Sequence, residues 1–425
     1  MAVTLTDVNQ MISVEEARDV VLSHVDPLPS ERVPLLDALG RVAAAPCASD
    51  IDVAPFAHSA MDGFALRASQ IAQASEGAPV QLAVIAEIGA GSVHDGPIGE
   101  TECVRIMTGA ELPEAADSVV KYEVVDVVTG DGKPGSVVSF ASPCQTGSNV
   151  RAAGEEAHAG DVVLEAGDVI GAAGMGCLAS CGITEVDTFR RPKVAIMATG
   201  SELVPAAQVP GPGHIRESNS QAMAACVLEA GGVPLVMPIV PDAYDDLRHA
   251  VTEAVKDADF VITTGGAANG DYDFIKQVVA DAGEVYMTQV NMRPGKAQTF
   301  GKVSGTPVFG LPGNPAAAYC GFQMLIRPAL RKMQGFQALS FPRIRARLTQ
   351  DVKKKDPRRI LLRSTYVKTA DGAYEVTPAK NQSSGLFGVI QRSNCMAIMP
   401  EGLTPAQAGD EVECIVMGVP EETVL

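Results

Sequence analysis

From about Arg191 onward the chain repeats one pattern, a short apolar run followed by a helical segment. "KVAIMATG", "VPLVMPIV", "DFVITTGG" and "TPVFGLPG" are each too brief for a buried helix and are rich in β-formers. Between them lie segments with helical spacing, such as "YDDLRHAVTEAV" and "DFIKQVVADAG". This alternation requires parallel strands with helices on both faces, an α/β fold. It also dictates where a ligand goes, because in such sheets ligands lie beyond the carboxyl ends of the strands.

Polar groups collect at those ends. "ATGSEL" places Thr199, Gly200, Ser201 and Glu202 after the first strand, and "HIRESNS" places Glu217, Ser218 and Asn219 at the next helix start. "DFVITTGGAANGDYDF" packs Gly265, Gly266, Gly270, Asp271 and Asp273 just past a buried strand. Glycines there let the backbone turn with positive φ and bring its N–H groups close to a ligand. "NMRPGKAQTFG" adds Arg293 and Lys296, and "GLPGNPAAA" adds Gly313 and Asn314 at a helix start, where free N–H groups favour an anion. Each alone has a structural explanation: Asp271 or Glu217 as a helix cap, Arg293 and Lys296 as a solvated turn. Together they describe carboxylates for a hard divalent cation beside a basic corner for a phosphate or oxyanion.

The bulk properties limit the partners. At 425 residues the chain exceeds one core, and 46% apolar with 20% charged residues excludes a disordered protein. Thirty-three basic against fifty-one acidic residues give a net charge of −18, which argues against nucleic acid as a partner. "MAVTLTDVNQMISVEEARD" lacks the pattern of a signal peptide, and no apolar stretch suffices to cross a membrane. The nine cysteines form no C-x-x-C motif, so a reducing, cytoplasmic setting is expected. Cys177 and Cys181 would share a helix face as buried thiols rather than as a metal site. There is no G-x-x-x-x-G-K-[ST] loop, no dinucleotide fingerprint and no nucleophile elbow, and the lone histidines of "AHSAM" and "GHIRE" read as structural.

Elsewhere, "SVEEARDVVLSHV" reads as a capped amphipathic helix, with Ser13 as cap and Glu16 three residues on. "RVPLLDALGRVAAAPC" reads as a second short helix. Between Ile51 and Ala141 short β-rich runs alternate with Gly/Pro turns, "TGDGKPGS" being a hairpin loop. "GDVVLEAGDVIGAAGMGCLASCG" returns to small-residue helical packing, and from Lys332 to Phe336 onward alternating strands suggest a small β-barrel or sandwich. The expected division is 1–46 with 147–190, a β-rich insertion at 47–146, an α/β domain at 191–336 and a β-barrel domain at 337–425.

Taken in order, these residues resemble the molybdopterin molybdenumtransferase family, the MoeA-like proteins related to the C-terminal domain of gephyrin. The motifs are "SAMDGFAL" (59–66), "VRIMTGAELPEAADSVVKYE" (104–123), "NVRAAGEE" (149–156), "ATGSEL" (198–203), "RESNS" (216–220), "TGGAANGDYDF" (264–274), "RPGKAQTFGK" (293–302) and "GLPGNPAAA" (310–318).

The resemblance implies an elongated homodimer of four-domain subunits whose three-layer α/β domain binds adenylylated molybdopterin. With Mg²⁺ as cofactor, the family inserts molybdate at the dithiolene and cleaves the adenylyl phosphoanhydride, releasing AMP. The adenylyltransferase that makes the substrate is an implied partner. Carried over by position, Asp62, Glu202, Glu217 and Asp273 form the essential acidic set, and Asp271, Asp273, Glu202 and Glu217 address the metal. Thr108, Arg151 and Glu156 match a cluster that would face the pocket across the dimer. Gly265 and Gly266 cradle phosphates with Thr199, Gly200, Ser218, Asn219, Gly313 and Asn314. Arg293 and Lys296 hold phosphates or molybdate, and Arg363 and Ser384 line the cleft from the last domain.

The chain departs from the family at Ala267-Ala268-Asn269-Gly270, where Val-Ser-Val-Gly is usual, at Glu217 and Glu156, where Asp is usual, and at Arg293, where Lys is usual. Charge signs survive the last three, which favours an active enzyme. The alternatives are a phosphoanhydride hydrolase on the same scaffold and a non-catalytic scaffold paralogue.

Overall fold

The computed structural model describes residues 7–265 and 274–423. The chain divides into two compact units, one of Val33–Leu39 with Ala45–Val186, the other of Met1–Arg32, Gly40–Ala44 and Asp187–Leu425.

In the larger unit, the α/β sheet contains β1 (Lys193–Ala198), β2 (Val233–Val236), β3 (Phe260–Thr264), β4 (Gly283–Gln289), β5 (Ala297–Val303) and β6 (Thr306–Leu311). Their spatial order is β2-β1-β3-β6-β5-β4. The first four are parallel, as the alternation requires, and β5 and β4 continue the sheet antiparallel. Neither strand of this antiparallel pair is among the apolar runs read from the sequence, and in β5 Gly301 interrupts the apolar pattern.

Helix α1 (Asn219–Glu229) joins one core, in which Met223 and Val227 pack with Val194 and Ile262. Helices α2 (Tyr244–Asp257) and α3 (Phe274–Ala282) build the other, with Leu247, Val251, Ile275 and Val278 against Ala195 and Val261. One apolar cluster on each face of the sheet is the three-layer arrangement.

The helix Val14–Ser23 has the expected capping box: Glu16 N donates to Ser13 Oγ, and Ser13 N donates to Glu16 Oε2. Its Ala17, Val20 and Val21 are buried in the α/β core with Phe300 and Leu330. The second expected helix is not one. Ser30–Pro34 is extended, Leu35–Ala38 makes a single 3₁₀ turn, and Gly40 at φ 73° ends it. Pro34 has no N–H to give, and the left-handed Gly40 follows six residues on, too soon for an α-helix to propagate.

The C-terminal segment closes on itself. Strands Arg359–Lys368, Tyr374–Pro378, Arg343–Leu348, Glu411–Val416 and Cys395–Met399 pair in that order, and the last pairs back to the first. Ile344, Ala346 and Leu348 point inward between exposed arginines, a clean period of two. The tail returns to the α/β domain, where Glu421, with 1% of its side chain exposed, pairs with Arg327 at 2.5 Å and Arg331 at 3.2 Å.

The smaller unit carries a six-stranded sheet in the order Ser118–Lys121, Gly63–Leu66, Glu102–Ile106, Val80–Ile88, Val137–Phe140, Asp126–Thr129. The last two strands form the expected hairpin. Cys181 is buried at the end of helix Ala172–Ser180, whereas Cys177 is only partly covered. Among the described residues no helix is long and apolar enough to cross a membrane.

Candidate functional site

The parallel strands deliver their carboxyl ends to one place. Thr199 N donates to Thr264 O at 2.8 Å, Val240 N to Ala198 O at 2.9 Å, and Gly265 N to Leu311 O at 3.2 Å. The loops after β1, β2, β3 and β6 are therefore knitted together by backbone. Gly265 sits at φ 90°, and a Cβ there would collide with the Thr199 carbonyl. A Cβ on Gly313 would lie 3.5 Å from Gly265 Cα, so the two glycine loops lie close together. Asn219 Nδ2 donates to Gly313 O at 2.7 Å, tying the start of α1 to the same loop. Asn314 stands at the N-cap position of the helix Pro315–Gly321 without a side-chain capping bond, and Ala316 N donates to Ser384 O at 2.7 Å, which brings the barrel's Ser384 to this end.

Three buried oxygens here, Thr199 Oγ1, Thr264 Oγ1 and Asn219 Oδ1, have no hydrogen-bond partner among the described residues. Buried polar atoms without partners are rare, and several at the strand ends of one sheet mark a place built for a polar ligand.

The carboxylates differ in their engagements. Glu202 folds back over its own loop: a Cβ on Gly200 would lie 2.5 Å from Glu202 Oε2, the end of a side chain that can move aside. Glu217 is 7% exposed, and its oxygens accept from Ser220 N at 2.7 Å and Ser220 Oγ at 2.5 Å. That is the helix-capping role, with Ser218 beside it at the cap position. Asp242, just beyond β2, went unread in the sequence. Its carboxyl is pushed above the ordinary range, first by burial and then by the negative charge of Glu202, and its Oδ1 has no partner among the described residues. The signal available for it was positional, an Asp two residues past the end of "VPLVMPIV".

Gly266, Asp271 and Asp273 lie outside the described residues. Among the described ones no group of three or more His, Cys, Asp or Glu side chains could hold a metal ion.

A second feature adjoins the barrel. A cleft of about 610 Å³ is lined by Arg293, Lys353, Lys355, Arg363, Lys380 and Ser384, among others. Arg363 is 2% exposed; its guanidinium donates to Leu361 O at 3.1 Å and to Gln382 O, while its Nε has no partner among the described residues. Burial pulls its pKa down, yet arginine remains charged at any working pH. Arg293 reaches Asp356 at 3.0 Å, and the Arg358 guanidinium and backbone, aided by Arg293, hold the Asp356 carboxyl far below the carboxylate range. Lys296 is half-buried three residues on and is not among the residues lining this cleft.

In the smaller unit, Thr108 donates to Asp62 Oδ1 from both its N–H and its hydroxyl, each at 2.7 Å. These bonds, with Arg105 nearby, hold the Asp62 carboxyl below its usual range. Arg151 pairs across to His58, and Ser59 exchanges backbone hydrogen bonds with Gly109 and Ala110, so Asp62, Thr108 and Arg151 belong to one cluster of loops. Glu156 N donates to Val53 O on a neighbouring segment.

The sequence matches three successive family profiles: the MoeA N-terminal region (domains I and II) over residues 12–182, the probable molybdopterin binding domain over 195–332, and the MoeA C-terminal region (domain IV) over 345–417. The chain belongs to the MoeA family. It is 35% identical over 407 residues to a molybdopterin molybdenumtransferase of Staphylococcus aureus (95% of each chain) and to one of Bacillus subtilis (96% of this chain, 94% of that one). Among solved structures, a molybdopterin biosynthesis MoeA protein from Pyrococcus horikoshii matches at 31% identity and TM-score 0.82, over 96% of this chain and all of the other. A second from the same organism matches at 26% identity and TM-score 0.79, over the same shares. Membership accounts for the ordered motifs, and Asp242 adds to them a carboxylate at the molybdopterin-binding domain's strand ends.

Proposed function

We propose that this chain is a molybdenum insertase of molybdenum cofactor biosynthesis, a transferase that places molybdate in the dithiolene of adenylylated molybdopterin and releases AMP. One observation carries the reading: unpartnered buried oxygens and crowded carboxylates meet at the carboxyl ends of the molybdopterin-binding domain's parallel strands. A hydrolase needs only the phosphate half of such a site. The barrel cleft with a buried arginine answers to a further anion, and a scaffold has no need of either.

Mg²⁺ suits the donor set. It takes one or two carboxylates and completes its shell with water and substrate phosphates. Glu202 and Asp242 offer oxygen donors whose mutual repulsion a cation relieves. Since both oxygens of Glu217 are engaged at the start of α1, we assign the metal to Glu202 and Asp242, with Glu217 positioning Ser218 and Asn219. On the resemblance, Asp271 and Asp273 complete the site. The ion would neutralise charge developing on the phosphoanhydride. Thr199 and Asn219 would orient the substrate, the Gly265 and Gly313 loops would admit it close to backbone, and Arg363, Arg293, Lys296 and Ser384 would hold molybdate or phosphate oxygens.

The homodimer, with Asp62, Thr108, Arg151 and Glu156 serving the partner's site, rests on the resemblance. Mixing inactive Arg151→Ala and Asp273→Asn chains tests it: heterodimers should regain a fraction of wild-type activity, and confirmed heterodimers without activity would place the residues in one subunit's site. Reconstitution with substrate, molybdate and Mg²⁺, scoring AMP and active cofactor separately, tests the function.

A further inference from the structure

The run "VKKKDPRR" enters the barrel with three consecutive lysines of unlike fate. Lys354 is 7% exposed and spends its ammonium on the carbonyls of Arg358 and Gly402, so it is structural. The alternation turns Lys353 and Lys355 the other way, and both are exposed and line the cleft that holds Arg363. Lys380, from the loop after strand Tyr374–Pro378, lines it too. Among the described lining residues, five cations (Arg293, Lys353, Lys355, Arg363, Lys380) face one carboxylate, Asp351. In a chain of net charge −18 this is a strong local reversal.

Arg363 provides an independent observation. It is 2% exposed, lines the cleft, and has an Nε–H without a partner among the described residues, a donor built in and left open. Burying a guanidinium with an idle donor is costly unless an acceptor arrives. The lysines alone would be a solvated face; around that donor they form the rim of a site.

We propose that Lys353, Lys355 and Lys380 form a capture rim for a tetrahedral oxyanion, gathering the dianion that Arg363 then holds and setting its effective affinity. The rim acts through long-range charge at the mouth, so it governs capture and its salt dependence rather than the bond-making step. A dianion gains about twice what a monoanion gains from the same charges, so the rim also favours molybdate-like ions over nitrate or chloride. The inference rests on the insertase reading for which anion is delivered. Two sources share the chemistry, free molybdate and the phosphate group of the substrate.

The test is direct anion binding to the full-length protein by calorimetry, with sodium molybdate and AMP as separate probes, at low and at high ionic strength. K353Q/K355Q/K380Q is compared with K133Q/K256Q/K368Q, which removes the same charge from exposed lysines outside the cleft. The rim variant should lose about tenfold in affinity at low salt, with the loss shrinking at high salt, while the control stays within about twofold. Loss for molybdate assigns the rim to the free oxyanion, and loss for AMP alone assigns it to the substrate phosphate. If both probes bind the rim variant as tightly as wild type at low salt, the proposal is overturned. Wild-type protein that forms no cofactor would sink the insertase reading and leave this result standing.

Discussion

Asp242 sits within electrostatic reach of Glu202, and its carboxyl titrates above the ordinary range, chiefly through burial and secondarily through that neighbour. Raised in the folded state, it lets the unfolded chain ionise first. Its stabilising contribution is therefore complete below the unfolded value and is lost as pH rises through the folded one. Metal-free Asp242→Asn protein should then melt at or above wild type at neutral pH, with a flatter decline between mildly acidic and neutral pH. Mg²⁺ should raise the melting temperature of wild type more than that of the variant. Melting curves with and without Mg²⁺ across pH check this. A variant that melts lower than wild type when metal-free, yet gains as much from Mg²⁺, would make Asp242 a structural residue.

Glu217 offers a contrast, since its oxygens are already taken by Ser220. Glu217→Gln keeps an acceptor for the Ser220 N–H and should leave stability within about 0.5 kcal/mol, whereas Glu217→Ala should cost about 1 kcal/mol, as lost caps do. The Mg²⁺-induced rise in melting temperature should survive in the Gln variant. Its disappearance there would restore Glu217 to the metal.

At Gly265 a side chain meets both an unfavourable φ and the Thr199 carbonyl. Gly265→Ala should destabilise by about 2 kcal/mol, and the displaced loop should weaken substrate binding as well. Denaturant midpoints and direct titration of adenylylated molybdopterin measure the two effects. Wild-type values in both would mean the loop moves freely and does not shape the strand-end site.

Glu421 tests the tail. With its side chain buried against Arg327 and Arg331, removing it leaves uncompensated buried charge. Glu421→Ala should cost about 3–5 kcal/mol in equilibrium unfolding. A loss below about 1 kcal/mol would show that the guanidiniums find water or Glu422 instead.

What the sequence disclosed followed periodicity. Parallel strands between helices, the Ser13 capping box and four of the five barrel strands carry unbroken patterns, and each formed. Arg343–Leu348 was hidden because alternate arginines dilute its apolar count, and β5 because Gly301 interrupts its own. The helix expected from Arg32 to about Pro46 rested on apolar content, without allowance for Pro34 and Gly40. Of the site, the motif-bearing loops were legible, but Asp242 carries no motif. Its meaning lies in its distance from Glu202, which only folding sets. The reach of Lys353 and Lys355 into the Arg363 cleft likewise depends on Lys354 turning inward.

On the proposed reading, Glu202 and Asp242 hold the Mg²⁺ that lets this chain exchange AMP for molybdenum. Reconstitution with adenylylated molybdopterin, molybdate and Mg²⁺ measures it most directly, with AMP and active cofactor scored in the same reaction. Wild type should yield both in step, and Glu202→Gln and Asp242→Asn should each lower both by at least about a hundredfold while still binding the substrate. Wild-type release of AMP without cofactor would contradict the insertase reading, and full cofactor yield from both variants would remove Glu202 and Asp242 from the metal.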